Sequence, residues 1–239
     1  MKNLIKYFVM IGIVLAIPIA SWSNDIYIEQ VGDTLDLDIV QDGQNNKIGT
    51  GTQDVVLGSA GNDADNMTFS ITQTGNLNTI TAQILGATYT GTWTFTGDNN
   101  EVDLLCSSSA AGNCDTVTLN IAATGDDQDY TINIGETATA DSATINFTVT
   151  DDDNIITTDV NGTSAAITVV IDGSSSVSST DSTLDIDVAG NGDVGGHTIN
   201  FNATGRDHAV KFDQSGVYDN VIDLTTSGDG HDIDITQSD

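Results

Sequence analysis

Met67-Thr-Phe-Ser-Ile-Thr-Gln73-Thr-Gly75-Asn-Leu-Asn78-Thr-Ile80 decides how the rest of the chain is read. Apolar side chains fall on every second residue from Met67 to Ile71, the pattern of a strand with one buried face. Gly75 then marks a turn, and Thr79-Ile80 resumes the strand pattern. A unit of this kind that recurs at fixed spacing implies stacked, near-identical elements rather than a globular core.

The unit does recur. Ile26-x-Ile28-x-Gln30-x-Gly32 is followed 11 residues on by Leu35-x-Leu37-x-Ile39-x-Gln41-x-Gly43-x-x-Asn46-x-Ile48. Towards the C-terminus the same pattern returns from Ile199, Val210, Ile222 and Ile233, closing on Gly205, Gly216, Gly228 and Gln237. Between them, Trp93 to Leu104, Val117 to Tyr130 and Ile145 to Ile156 keep the alternation with looser spacing, and Asp151 takes the glycine slot. The irregular middle runs over 106–182, with the Ser/Thr-rich stretch Ser174 to Ser182 its weakest part.

These strands predict an all-β fold, a β-solenoid of strand-turn-strand coils of about 22 residues each, running as one domain over 24–239. Roughly 18 strands would make about nine coils and a stack roughly 43 Å long at ~4.8 Å per coil. A β-sandwich is the alternative.

Composition agrees with a chain held almost wholly in ladders. Residues 1–23 read as a signal peptide: Lys2 and Lys6, an apolar run from Tyr7 to Ala20, then Ser21-Trp22-Ser23 before a cleavage site at Asn24. The only proline, Pro18, lies in that segment. Proline cannot donate to a ladder, so its absence elsewhere means that nearly every amide is needed. Past the signal, Lys47, Arg206 and Lys211 stand against 35 acidic residues. All but Glu29, Glu101 and Glu136 are aspartate, which suits turns and strand faces. Such a charge disfavours nucleic acid and anionic membrane as partners. Cys106 and Cys114 enclose Ser-Ser-Ser-Ala-Ala-Gly-Asn, a flexible stretch, and predict a disulfide across a surface loop in an oxidising compartment.

The polar members of the motif read as structural. Glutamine or asparagine at one place on successive coils can bond side chain to side chain along the axis. Gly32, Gly43, Gly75, Gly97, Gly125, Gly205, Gly216 and Gly228 supply turns with a positive backbone angle.

Gln41-x-Gly43-x-x-Asn46, Gln73-x-Gly75-x-x-Asn78 and Gln214-x-Gly216 followed by Asn220, each flanked by alternating apolar residues, resemble the curlin repeat of bacterial curli fibres. Gly97 with Asn100 keeps the second half of the motif. The resemblance implies a secreted β-solenoid subunit that assembles with itself or a related subunit into amyloid-like extracellular fibres for adhesion and biofilm matrix. It also implies export through the periplasm to the cell surface. Ala123, Val149, Ala203 and Thr226 depart from it at the glutamine slot, Leu35 at an asparagine slot, and the cysteine loop is foreign to it. The alternative is a non-polymerising surface or phage-type adhesin, or a β-sandwich carbohydrate-binding module. Ile233 to Gln237 runs almost to the C-terminus without proline or a capping helix, and so favours assembly.

Other features carry less. No cofactor is expected; calcium is the one candidate ion, with Asp151, Asp153 and Asp232 as weak ligands in acidic turns. Stacked aspartates predict an assembly that depends on salt or divalent ions. His208 and His231 fall in equivalent turn slots 23 residues apart and read as exposed stand-ins for asparagine. Thr90, Thr92, Thr94 and Thr96 form an outward row reminiscent of ice-binding surfaces, read as confined to a single coil. No arrangement of residues points to an enzyme.

Overall fold

The computed structural model describes residues 25–30, 34–49, 55–58, 66–106, 114–135, 140–150, 153–173, 182–190, 196–218 and 220–238. The signal segment, Gly32, Asp151, the Cys106–Cys114 loop interior and most of the Ser/Thr-rich stretch lie outside the described residues.

Among the described residues nineteen strands follow one another. They begin with β1 (Asp25–Ile26), β2 (Glu29–Gln30), β3 (Asp36–Asp42), β4 (Lys47–Ile48), β5 (Val55–Leu57), β6 (Met67–Thr74) and β7 (Thr79–Ile84). Next come β8 (Thr88–Thr96), β9 (Glu101–Cys106), β10 (Thr116–Thr124), β11 (Asp129–Ile134), β12 (Ser142–Thr150) and β13 (Ile155–Asn161). The last are β14 (Ala165–Asp172), β15 (Thr183–Ala189), β16 (Thr198–Arg206), β17 (Ala209–Ser215), β18 (Val221–Asp229) and β19 (Asp232–Ser238).

Successive strands do not pair with each other. From β6 onward they alternate between an 11-stranded sheet, here sheet A, and an 8-stranded sheet, sheet B, and each pairs with strands one coil before and after. Every strand pairing is parallel, for example β8 with β10 and β10 with β12 over nine residues each. The fold is therefore a β-solenoid, and the sandwich, built of antiparallel strands, falls away.

The coil is longer than the sequence period implies. Gln41 lies beneath Gln73 at a step of 32 residues, Asn78 beneath Asn100 at 22, Asn100 beneath Gln128 at 28, and Asn120 beneath Asn146 at 26. The stack has about seven turns roughly 26 residues apart, not nine of 22. A step of 32 already separates the first two coils, so the irregularity is not confined to 106–182. The 11-residue spacing is half a coil: it carries the chain from one sheet to the other, as from Gln30 in sheet A to Gln41 in sheet B.

The two arcs of a coil behave differently. From sheet B to sheet A the chain passes from Gln73 to Asn78, Phe95 to Asn100, Ala123 to Gln128 and Ala203 to His208 in five residues each, whereas the same arc from Ile171 to Ser182 takes 11. The return arc varies and absorbs most of the difference in coil length. Gln214, Gly216 and Asn220 sit on that return arc, so they are not a copy of the Gln41 and Gln73 turns, and Leu35 likewise is not in an asparagine slot.

Inward side chains of both sheets form one continuous core. Phe95 meets Tyr130 across it at 6.2 Å, Tyr130 meets Phe147 at 5.9 Å, and Phe201 meets Phe212 edge-on at 5.6 Å. Gly91, inward on β8, is the notch that admits its neighbour Tyr89: a Cβ there would lie 2.7 Å from the Tyr89 hydroxyl. Burial raises the Tyr89 and Tyr130 phenols, so both stay neutral.

Candidate functional site

Function in a solenoid lies in its ladders, faces and ends. The arc from sheet B to sheet A builds the main ladder. Gly43, Gly75, Gly97, Gly125, Gly205 and Gly228 all have φ between 124° and 143°. A side chain at Gly97 would put its Cβ 2.4 Å from the Gly75 carbonyl oxygen of the coil below, so close stacking as well as φ requires glycine. Gly216 is not among these positive angles; it packs against His197 instead. Two residues after each glycine the chain enters the left-handed region again, at Asn45, Leu77, Asn99, Asp127, Asp207 and Gly230. The next side chain is thereby turned inward.

Those inward side chains form a polar column, buried through Asn46, Asn78, Asn100, Gln128, Asn154, Ser182 and His208 and ending on the half-buried His231. Asn46 Nδ2 donates to Asn78 Oδ1 at 3.0 Å, Asn78 to Asn100 at 2.6 Å, and Asn100 to Gln128 Oε1 at 2.7 Å. Each amide also ties down its own turn: Asn78 donates to the Gly75 carbonyl, Asn100 to that of Gly97, and Gln128 to that of Gly125. His208 and His231 do occupy the asparagine slot, but they are not exposed turn residues. His208 is 1% exposed, and both ring nitrogens of His231 are buried without a hydrogen-bond partner among the described residues. Two shorter ladders flank this column. Gln73 donates to Gln41 at 2.7 Å in sheet B, and Gln237 to Gln214 at 3.0 Å in sheet A. Between β6 and β18 the sheet B column is apolar, through Phe95, Ala123, Val149 and Ala203.

The outer faces differ in chemistry. On sheet A, Asp159, Asp187 and Asp213 stack in register. Partial desolvation of Asp187 and the flanking Asp159 and Asp213 carboxylates hold its pKa above the usual value. Beside them Lys211 Nζ bonds Asp185 at 2.8 Å, an arrangement that raises the Lys211 pKa. On sheet B the threonine row of β8 is not confined to one coil. Thr68, Thr90, Thr118 and Thr144 form one column, Thr74, Thr96, Thr124 and Thr150 another. Period alone hid this repeat because the coils differ in length.

Cys106 and Cys114 are joined, with Cα atoms 5.8 Å apart. Their sulfurs are buried in the core rather than on the surface, Cys106 taking the column position between Ile84 and Ile134. Asp153 and Asp232 lie in different coils, and no three metal-ligating side chains converge among the described residues.

His197 was not legible from the sequence. It is fully buried at the end of a return arc, where Nδ1 accepts the Ala165 N–H at 3.1 Å and its own N–H donates to Asn220 Oδ1 at 3.0 Å. Burial lowers its pKa. An isolated histidine in a Gly-rich segment gives no periodic signal.

These features define a parallel β-solenoid with polar ladders in its arcs and unlike faces. The chain matches no protein-family model, no curated protein and no solved structure. Among the described residues no helix is long and apolar enough to cross a membrane.

Proposed function

We propose that the protein is an exported structural subunit that stacks end to end into extracellular, amyloid-like fibres serving adhesion and biofilm matrix. The observation that carries this reading is the likeness of its two ends. At the last coil, Ile222, Leu224 and Ile233 are only half covered and Ile235 is 45% exposed, beside the outer edges of β18 and β19. At the first, Leu35 and Leu37 are likewise only partly buried. Unpaired parallel edges over an open core template addition of another strand.

The columns fix how two copies would meet. Following the register through the stack sets Leu37 of one copy over Ile222 of another, Ile39 over Leu224 and Gly43 over Gly228 in sheet B. In sheet A it sets Ile48 over Ile233 and Lys47 over Asp232, an opposite-charge pair. Sheet A has one level more than sheet B, because β1 and β2 together cover the outer edge of β4 and β5. Pairing on both sheets therefore requires these two-residue strands to lift away, and the seven-residue edge of β3 on β18 outweighs the four residues released. The buried disulfide supports an oxidising, extracytoplasmic destination.

Asp38 would face Asp223 in that junction, a repulsion on the order of 1 kcal/mol even in water, so assembly should need salt or divalent cations. The test is electron microscopy with amyloid-dye binding on the chain from Asn24 onward, at low salt, high salt and with calcium. Fibres that grow with ionic strength are expected. Discrete particles in every condition would overturn the reading and favour a monomeric adhesin.

A further inference from the structure

We propose that the outer face of sheet B is an ice-binding surface, a function independent of end-to-end assembly because the face runs along the side of the stack. On four consecutive strands, β6, β8, β10 and β12, sixteen side chains point outward in a four-by-four grid. Twelve are threonine and the others are Ser70, Asn120, Asn146 and Ala122. No charged side chain lies among them in a chain with a net charge of −30. The same coils place Glu101, Asp103, Asp129 and Asp159 outward on sheet A. Within these coils charge is segregated to one face, and solubility alone gives no reason for that.

The grid has the form needed to hold water in a lattice. Parallel strands stand ~4.8 Å apart and alternate residues along a strand ~6.6 Å apart, giving a rectangular repeat in two directions. Oxygen rows on the prism faces of hexagonal ice repeat on two similar spacings. Unbroken registers of nine residues from β8 to β10 to β12, with no bulge, keep that rectangle in phase across the coils. Threonine brings a hydroxyl that can join the water network and a methyl that excludes disordered liquid. Its β-branch stiffens χ1, so little entropy remains to be lost when the water orders. Asn146 Nδ2 donates to Asn120 Oδ1 at 2.8 Å, fixing the two asparagines of the column that Ser70 and Thr92 begin. A sugar-binding face of this kind would present aromatic rings for stacking, and here the large aromatics of these strands, Phe69, Tyr89, Trp93, Phe95 and Phe147, all point inward and are buried.

The test measures thermal hysteresis and the partition of labelled full chain into a slowly growing ice hemisphere. Thr94→Lys sets a long cation in the middle of the grid, and Asp213→Lys makes a control on sheet A. The unaltered chain and Asp213→Lys should enter the ice and depress its growth temperature, whereas Thr94→Lys should lose most of both effects with an unchanged melting curve. Exclusion of the unaltered chain from ice, or equal behaviour of the two variants, overturns the proposal. Measured at a salt concentration where the chain is monomeric, the result does not depend on fibre formation.

Discussion

The imidazole of His208 lies flat on that of His231, ring centroids 5.1 Å apart and planes 2° from parallel. The stack continues, in another chemistry, the amide ladder that begins at Asn46. The column keeps a polar side chain once per coil: amides from Asn46 to Asn154, the Ser182 hydroxyl, then the two imidazoles.

Removing a rung should be costly. Asn100 accepts from Asn78 and donates to Gln128 and to the Gly97 carbonyl, all buried or partly so. Asn100→Ala leaves those groups unmatched and should destabilise the chain by about 3 kcal/mol, read as a lower denaturant midpoint. Asn100→Gln should cost less, because Gln128 already serves in the same column.

Gly75→Ala should be harsher than any surface change. The added Cβ would overlap the Gly43 carbonyl oxygen, and φ of 129° is strained for any side chain. A loss of about 3 kcal/mol or more is expected, with a lowered melting temperature in circular dichroism. Substituting Gly216, whose backbone angle is not of this kind, should cost less.

Much of this fold was legible, and the limit has a physical cause. Alternation of inward residues along Met67 to Ile71 or Ile199 to Ala203 depends only on the strand, so strands and inward faces could be read directly. The stacking partner of a residue depends on the length of the return arc, which carries no periodic signal. Thus Gln73 and Phe95 share a column though nothing in their chemistry says so, and the threonines of β6, β8, β10 and β12 looked unrelated. Burial of His208, His231 and the disulfide was missed for a similar reason: turn composition reads as exposure, whereas these turns fold their last residue inward.

Asp187 offers a test of the acidic column. Its raised folded pKa means that the charged form costs stability above that value, and the cost disappears as pH falls towards the unfolded carboxylate value. Asp187→Asn should therefore stabilise at pH 7, by less than about 1 kcal/mol because the side chain is exposed and screened. The gain should shrink in acid and in high salt. Equal gains at pH 4 and pH 7 would remove the column repulsion from the account.

His197 predicts the opposite slope. Its folded pKa lies below the ordinary value of 6.5, so on acidification the unfolded chain takes up a proton that the folded chain resists. Its contribution is constant above about pH 6.5 and is lost as pH falls from there through the lowered folded value. His197→Asn should flatten that part of the stability profile, measured by urea unfolding between pH 7.5 and 5.

The most direct test of end-to-end stacking is a cysteine cross-link across the proposed junction. In Ile39→Cys/Leu224→Cys, the register brings the two new thiols together only between copies, within the Cα separation of roughly 4.4–6.8 Å that a disulfide accepts. Oxidation under assembly conditions should give a ladder of covalent multimers in the double variant and monomers in either single variant. Monomers from the double variant, or dimers from a single one, would contradict head-to-tail pairing in this register.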